Sequence, residues 1–384
     1  MSDANPEYRD ALPIGPSAAP HRRGAGLNPG NRFEVNRFHL DGDFADYDAD
    51  QEGGPAKVPL TVIPDDTRTI INKVAPTSDV PFDYTVNPYR GCEHGCIYFF
   101  ARPYHELLGF CCGLDFESKI VAKHNAAELL RKELAKPSWK ADAIVMSAST
   151  DVYQPLEAKL GLTRQCLEVL AETSQPVSTM TKGALVLRDL DLWSELAEKN
   201  AGRVTVTIVT LDDQLAKQLE PRAASPAQRL RMVRKLSEAG VRVNVNVSPI
   251  IPGLTDTELP TILEAVAEAG ASTARWVLLR LPYQLKDLFL DWLQRTQHPD
   301  RARKIESFIR QSRGGKLYDA GRFTARGQPP QGHNRRRGKG PIAEQIAQNF
   351  DVFTRRFGLN RDVRPMSKKH FRRPSLDGQM GLFG

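Results

Sequence analysis

Residues 87–100 read NPYRGCEHGCIYFF, and this stretch places two cysteines four positions apart in a glycine-containing segment. Gly91 precedes Cys92, Gly95 precedes Cys96, and the aromatic residue Tyr98 follows. Glycine favours the tight turns of a loop, and closely spaced cysteine thiolates are the usual ligands of iron–sulfur clusters. The stretch therefore predicts a loop in which Cys92 and Cys96 are candidate metal ligands.

The composition indicates a globular, water-soluble chain. Of its 384 residues, 40% are hydrophobic, which is enough for a core, and no run of 18 apolar residues is present, so the sequence predicts no transmembrane helix. The opening residues are acidic and lack the apolar segment of a secretory signal. Five cysteines, most of them in one region, do not form a disulfide framework and predict a reducing, cytoplasmic location.

Strand and helix patterns alternate along the middle of the chain. Each predicted strand is followed by an amphipathic segment, which indicates parallel strands joined by right-handed helical crossovers. Pro226 to Ala239 is predicted as a helix with Ser225 as its N-cap, and Asp189 is the predicted cap of a helix from Leu190. The predicted strands are Tyr84–Val86, Ala143–Ser147, Val177–Thr181, Arg203–Ile208, Val241–Val247 and Arg275–Leu281. Periodicity alone leaves an open barrel and a doubly wound sheet as alternatives.

The ends of the chain differ from its middle in composition. Residues 1–56 are rich in Gly, Pro, Asp and Asn and are predicted to be flexible, with a short segment near Phe33 to Phe38 laid on the body. Residues 57–295 form the predicted core, and residues 296–384 a basic extension. Residues 301–340 hold twelve Lys or Arg against two acidic residues, and residues 361–374 hold six against one. This asymmetry indicates a polyanion-binding region or a solvated basic tail.

From about Asp83 to Arg295 the chain resembles the radical S-adenosylmethionine (SAM) superfamily, in its branch related to spore photoproduct lyase. The cysteine loop resembles the family pattern Cys-x-x-x-Cys-x-aromatic-Cys. Further matching segments lie across most of the predicted barrel. They are Thr181-Lys182, Leu219-Glu220-Pro221, Ser225-Pro226, Ala239-Gly240 and Ser248-Pro249-Ile250.

The resemblance implies a fold, two cofactors and an activity. The fold is a partial (βα)6 barrel of the TIM type, with the site at the C-terminal ends of the strands. The cofactors are a 4Fe–4S cluster, to which Cys92 and Cys96 contribute, and SAM. Reductive cleavage of SAM would give a 5′-deoxyadenosyl radical that acts on a substrate, with ferredoxin or flavodoxin as reductant. The implied cofactor-binding residues are Tyr98, Thr150, Lys182, Thr207 and Ser248.

Two positions depart from the family pattern. The third cysteine of the loop is replaced by Phe99, whose ring has no lone pair to give to iron, so the sequence predicts impaired cluster binding. The cysteine that donates a hydrogen atom in spore photoproduct lyase corresponds to Ala148. The third thiolate is supplied by Cys111 or Cys112 in one alternative.

Two other interpretations remain open at the level of the sequence. In one, the barrel is degenerate and the protein is a non-catalytic nucleic-acid-binding protein, which uses the Lys and Arg residues of 301–340 and 361–374. In the other, Cys92, Cys96 and His94 hold zinc together with Cys111 or Cys112. The favoured hypothesis is a radical SAM enzyme that acts on an unidentified substrate, with nucleic acid as a candidate.

Overall fold

The structure is a computed structural model, and it describes residues 22–33, 58–75, 80–318 and 336–375. Two sheets are present in these residues. The ten strands are β1 (Thr61–Pro64), β2 (Ile71–Lys73), β3 (Tyr84–Val86), β4 (Tyr89–Arg90), β5 (Lys119–Ala122), β6 (Ile144–Met146), β7 (Val177–Thr181), β8 (Gly202–Thr207), β9 (Arg242–Ile250) and β10 (Thr273–Leu278).

Helices connect most of the strands of the larger sheet and cover its outer face. The α-helices are α1 (Leu114–Ser118), α2 (Ala126–Leu134), α3 (Glu157–Leu160), α4 (Leu162–Glu172), α5 (Leu190–Glu198), α6 (Asp213–Leu219), α7 (Pro226–Glu238), α8 (Leu259–Glu268), α9 (Leu285–Thr296), α10 (Pro299–Gln311) and α11 (Pro341–Arg356). Short 3₁₀ helices span Arg102–Leu108, Ala184–Asp189 and Asp256–Glu258. Among the described residues, no helix combines the length and the apolar character that crossing a membrane requires.

The larger sheet has the strand order β10-β9-β8-β7-β6-β3-β2. All neighbours in it are parallel except β2, which pairs antiparallel with β3 at one edge. The six parallel strands follow their order in the chain without reversal, whereas a doubly wound sheet reverses its strand order at a switch point. The partial (βα)6 barrel is thus confirmed, and the doubly wound alternative is wrong.

Alternation along the strands separates the core from the concave face. On β9, Val243, Val245 and Val247 are buried in the main core, and Asn244 and Asn246 between them are partly exposed. Successive strand residues point to opposite faces, so the valines pack against the helices and the asparagines line the concave face. The half-barrel therefore has an apolar outside, covered by helices, and a polar inside.

The two predicted helix caps have different outcomes. Ser225 accepts a hydrogen bond from the Gln228 backbone N–H, and the Gln228 side chain accepts one from the Ser225 N–H, which completes a capping box at α7. Asp189 occupies the N-cap position of α5 but makes no capping hydrogen bond. Its carboxylate instead binds the side chains of Arg164 and Arg188. The first cap is confirmed, and the side-chain cap at Asp189 is wrong.

Segments outside the predicted core contact the barrel directly. Residues 22–33, from the N-terminal segment predicted to be flexible, hydrogen-bond to the region of the cysteine loop through Gly24 and Ala25. The rest of 1–56 lies outside the described residues, as does the predicted segment beyond Phe33. In the C-terminal extension, α10 packs against α9, and α11 packs against α8 and β10.

Residues 360–373 run along the base of the half-barrel, at the N-terminal ends of the strands. The Asn360 N–H donates to the Ser272 carbonyl (3.1 Å), the Ser367 N–H to Asn200 (2.8 Å), and the Arg372 N–H to Thr173 (2.8 Å). These acceptors lie immediately before or near the starts of β10, β8 and β7. The segment therefore closes the end of the barrel opposite the mouth, and its basic side chains are exposed there.

Candidate functional site

The cysteine loop follows β4 and lies at the C-terminal mouth of the half-barrel. Two of its glycines adopt left-handed backbone conformations, with φ of +82° at Gly91 and +69° at Gly95, which a side chain would strain. The Ile97 N–H donates to the Leu219 carbonyl at the end of α6 (3.1 Å). The sequence thus folds into a tight loop that holds Cys92 and Cys96 against the mouth.

Side chains from the segment after β6 anchor this loop. The Thr150 hydroxyl donates to the Gly91 carbonyl (2.5 Å), and Gln154 Oε1 accepts from the Glu93 N–H (2.9 Å). Thr150 and Gln154 are both buried. Because the Thr150 hydroxyl donates its proton to the loop, this predicted SAM ligand also positions the backbone beside Cys92.

A buried ion pair fixes the other side of the loop. The guanidinium of Arg102 binds the Glu117 carboxylate, and both side chains are fully buried. Arg102 Nε also donates to the Cys96 carbonyl (2.9 Å), and Glu117 accepts from the N–H groups of Gly24 and Ala25 (3.0 Å each). A buried charge pair is tolerated when hydrogen bonds satisfy its remaining atoms. Glu117 therefore joins the N-terminal segment to the loop.

Both loop cysteines are nearly inaccessible, with exposures of 3% for Cys92 and 5% for Cys96. Burial raises the pKa of Cys92 well above its usual range and that of Cys96 to about 11. The nearby Lys182 ammonium opposes the rise at Cys96. Both groups are therefore neutral thiols at pH 7, and a metal ion would have to displace their protons.

Phe99 occupies the position of the missing third thiolate and packs into an aromatic cluster. Its ring lies edge-on to Phe100 (5.4 Å between centroids) and to Phe116 (5.7 Å). The Lys182 ammonium lies 5.9 Å from the Phe99 centroid. The side of the loop that would carry the third donor is thus apolar.

The other cysteines do not complete a metal site. Cys112 is fully buried, and its charged neighbours are Glu106 and Arg102; burial, with Glu106, raises its pKa to about 12. Within the described residues, no three His, Cys, Asp or Glu side chains are arranged to hold a metal ion. Cys111 and Cys112 are therefore not arranged with Cys92, Cys96 or His94 as a set of three metal ligands in the described residues, and the two alternatives stay predictions. The donor set does not fit a three-thiolate cluster.

A buried charge network lies beside the loop. The Tyr98 hydroxyl donates to the Glu220 carboxylate, which also binds Arg229. Burial alone would raise the pKa of Glu220, but Arg229 and Lys182 hold it below its usual range. Burial would likewise lower the pKa of Lys182, but the thiolate form of Cys96 and the carboxylates of Glu220 and Asp151 raise it instead. Lys182 is therefore a firmly protonated cation at the mouth, 5.8 Å from the Tyr98 ring centroid.

Asp151 connects the loop to β7. Its carboxylate accepts from the Thr181 hydroxyl (2.8 Å) and the Lys182 N–H (2.8 Å), and it lies 3.2 Å from His94 Nδ1. Burial would raise its pKa, but His94 and these hydrogen bonds hold it to about 2. Asp151 is thus ionised at neutral pH and sets the orientation of Lys182 relative to Cys92.

The remaining predicted SAM ligands lie on neighbouring strands. Thr207 is the last residue of β8, and its buried hydroxyl has no hydrogen-bond partner in the described part of the chain. Ser248 lies in β9, where it precedes the cis peptide bond to Pro249. A cationic Lys182 and an unsatisfied hydroxyl suit a polar ligand with a carboxylate. These side chains fit SAM, in contrast to the cysteine set and the cluster.

Sequence reasoning did not assign roles to several charged side chains of the site. Glu117, Asp151, Glu220 and Arg229 are each buried yet lie in segments that read as ordinary loop or helix. Glu220 was named only within a matching segment. Their partners lie far apart in sequence, for example 122 residues between Tyr98 and Glu220. A buried charge without a local partner leaves no periodic signal.

Fold and site together define an open α/β half-barrel with a thiol-bearing loop and a cationic mouth. The family model of the radical SAM superfamily matches residues 86–266. An uncharacterized protein of Mycobacterium tuberculosis is 37% identical over 245 residues, which is 63% of this chain and 72% of that protein. The chain belongs to the radical SAM superfamily.

More distant relatives agree with this assignment. A protein of Pseudomonas phage M6 described as a radical SAM Nalpha-GlyT isomerase is 22% identical over 230 residues, 59% of this chain and 46% of that protein. A solved structure of a spore photoproduct lyase mutant covers 78% of this chain and 79% of its own, with a TM-score of 0.55 and 17% identity. The predicted superfamily is confirmed, and the fold is that of the spore photoproduct lyase structures.

Proposed function

We propose that this chain binds SAM at the mouth of the half-barrel, and that Phe99 impairs the cluster on which the family's reductive cleavage of SAM depends. Lys182 would neutralise the carboxylate of SAM, while the hydroxyl groups of Thr207 and Ser248 would hold its polar atoms. Charge-assisted hydrogen bonds are the strong ones, so Lys182 carries most of the recognition in this proposal. The family chemistry would then require a third thiolate that this chain does not place beside Cys92 and Cys96.

The single observation that carries the second half of the proposal is the environment of Phe99. Three of its neighbours, Phe100, Phe116 and the Lys182 ammonium, offer no electron pair to a metal. Two thiolates alone leave two irons of a cubane without protein ligands, whereas four-iron clusters are held by cysteine thiolates at most of their irons. Phe99→Cys should therefore restore cluster binding.

Anaerobic reconstitution followed by iron and sulfide counting tests this part. We expect substoichiometric iron in the unaltered protein, and about four irons per chain in Phe99→Cys, as for one cubane. The restored variant should also cleave SAM to methionine and 5′-deoxyadenosine under a strong reductant. Phe99→Leu keeps an apolar side chain and is the matched control. A full cluster and SAM cleavage in the unaltered protein would refute the impairment.

Equilibrium dialysis with labelled SAM tests the other part. Lys182→Met should weaken SAM binding about tenfold or more, because one charge-assisted hydrogen bond contributes about 1.5–3 kcal/mol. Lys199→Met is the control, since Lys199 pairs with Glu195 on the surface of α5. Equal SAM affinity in the two variants, or no SAM binding by the unaltered protein, would contradict the proposal.

A second candidate function is nucleic-acid binding at the base of the half-barrel. Residues 361–373 expose their cations on one surface, to which β8, β9 and β10 add further arginines. Burial and the proximity of Arg242 and Arg275 lower the pKa of Arg203, which indicates a concentrated positive field. The exposed cations of the segment are Arg361, Arg364, Lys368, Lys369, Arg372 and Arg373. Residues 319–335, with three more arginines, lie outside the described residues.

Salt dependence separates this candidate from a solvated tail. If several phosphates are contacted, the logarithm of the affinity for duplex DNA falls linearly with the logarithm of salt concentration, by about 0.9 per contact. Replacing Lys368 and Lys369 with glutamine should reduce this slope by about two. Cys92→Ser serves as the control, because the loop lies at the opposite end of the barrel. No DNA or RNA binding at low salt would eliminate this candidate.

A further inference from the structure

A cavity of about 310 Å³ lies beside the cysteine loop, and none of the predicted SAM ligands is among its lining residues. It is bounded by the strands β2, β3 and β4 and by the 3₁₀ helix Arg102–Leu108. Small-molecule sites in proteins have volumes from about 300 Å³ upward. The polar and charged residues that line it include Asn72, Thr85, Asn87, Arg90, His105 and Lys123. The cavity is thus large enough for an organic ligand and is rich in hydrogen-bond donors.

Two cations, Arg90 and Lys123, line this cavity, and one carboxylate acts on both. Arg90 Nε lies 3.5 Å from Asp65 Oδ2, and Asp65 is also the carboxylate that acts on Lys123. Lys123 is only 4% exposed, and its ammonium makes no hydrogen bond or ion pair with the rest of the described chain. Burying an ammonium without a partner is unfavourable. The pair of cations therefore has an excess positive charge that an anion would neutralise.

Neutral groups complete the lining. His105 is 2% exposed, and its Nε2 atom lacks a partner in the described residues. Its ring is held between Phe110 and Phe116, at centroid distances of 5.2 and 5.4 Å. Asn87 Oδ1 accepts from the N–H groups of Ala148 (3.0 Å) and Ser149, which leaves its Nδ2 group as a donor. Buried polar atoms are normally paired, so an unpaired one at a cavity indicates a ligand.

We propose that this cavity binds a phosphate ester, with the phosphate between Arg90 and Lys123 and further contacts from Asn87 and His105. Arginine and lysine together are the usual recognition set for phosphate, because one offers a fork of donors and the other a compact charge. The cavity volume of about 310 Å³ is about ten times the volume that one water molecule occupies in the liquid, so the organic group of the ester also fits. This inference needs neither SAM nor a cluster.

Isothermal titration calorimetry with sulfate is the first test, because sulfate keeps its charge over the working pH range. We expect Lys123→Met and Arg90→Gln each to weaken sulfate binding at least tenfold. Lys119→Met is the control: Lys119 pairs with Asp115 nearby but does not line the cavity. Circular dichroism of each variant verifies folding. Binding unaffected by both substitutions, or no sulfate binding by the unaltered protein, would overturn the proposal.

The pH profile gives a readout that a merely structural lysine would not change. Burial and Arg90 lower the pKa of Lys123 to about 8, and Asp65 and Cys166 are the other titratable groups that face it. Sulfate affinity should therefore fall as pH rises through this value in the unaltered protein, and stay flat in Lys123→Met. A flat profile in both would refute the assignment of Lys123.

Competition identifies the source of the phosphate. Adenosine monophosphate and a short single-stranded oligonucleotide are each titrated against bound sulfate. Displacement of sulfate by adenosine monophosphate indicates that the cavity binds a free phosphate ester. Displacement by the oligonucleotide alone indicates that the cavity binds a phosphate of a nucleic-acid strand. If sulfate binds but neither compound displaces it, the site holds an adventitious ion only, and the proposal of an ester is wrong.

Discussion

Lys123→Met should stabilise the protein at neutral pH, although it removes a charged residue from a buried position. Burial and Arg90 lower the pKa of Lys123 from 10.5 to about 8. This difference means that the native state disfavours the ammonium by about 3 kcal/mol relative to the unfolded chain. Methionine has a similar length and no charge, so we expect a gain of roughly 2–3 kcal/mol in the free energy of unfolding at pH 7.

The pH dependence of this gain has a definite sign. Between about pH 8 and 10.5 the unfolded chain keeps the Lys123 proton and the native state does not, so the native state of the unaltered protein gains stability with rising pH. The advantage of Lys123→Met should thus shrink by about 1.4 kcal/mol per pH unit in this window and nearly vanish above it. Below pH 8 the difference is constant.

Urea denaturation of both proteins at pH 7 and pH 10 measures the effect. The buffer must contain no phosphate or sulfate, because a ligand that binds only the native state would stabilise the unaltered protein and mask the gain. Lys119→Met, at a partly exposed position, should change stability by no more than about 0.5 kcal/mol. A destabilised Lys123→Met protein at pH 7, or a difference that does not depend on pH, would refute the reasoning.

Three further outcomes follow from the described contacts. Glu117→Gln leaves the buried guanidinium of Arg102 without its counter-charge and should cost about 3–5 kcal/mol in urea unfolding, so a cost below about 1 kcal/mol would contradict the role of this pair. Asp151 has a native pKa of about 2 against 3.8, so its contribution of about 2 kcal/mol is present above pH 4 and is lost as pH falls through 2. Asp151→Asn should lack this acid dependence. If its acid-unfolding curve superimposes on that of the unaltered protein, Asp151 does not make this contribution. Ser225→Ala should lower the free energy of unfolding by about 1 kcal/mol, because it removes the capping box at the start of α7. Ser237→Ala, near the other end of α7, is the variant for comparison.

The parallel strands of the half-barrel could be predicted from the sequence because each has a local signal. The strand Tyr84–Val86 and the strand Val177–Thr181 match the prediction at both ends. Helix α7 was predicted from Ser225, Pro226 and its apolar spacing, all of which are local features. Handedness then fixes the crossovers, but it leaves an open barrel and a doubly wound sheet as alternatives, and the resemblance to the radical SAM superfamily favoured the barrel.

The short strands and the charge networks could not be predicted in this way. Strand β4 has only two residues, too few for a periodic pattern to be recognised. Asp189 reads as a helix cap, but Arg164 and Arg188 compete for its carboxylate in the folded chain. The cavity at Lys123 arises where β2, β3, β4 and a 3₁₀ helix meet, and no single segment encodes it.

The closure of the barrel base has a consequence for synthesis on the ribosome. Arg203 at the start of β8 binds the carbonyl of Arg364, which is translated 161 residues later. The strands of the half-barrel thus leave the exit tunnel well before the segment that covers their lower ends. Until residues 360–373 emerge, the nascent barrel remains open at its base, and a chaperone that binds there would protect it during this interval.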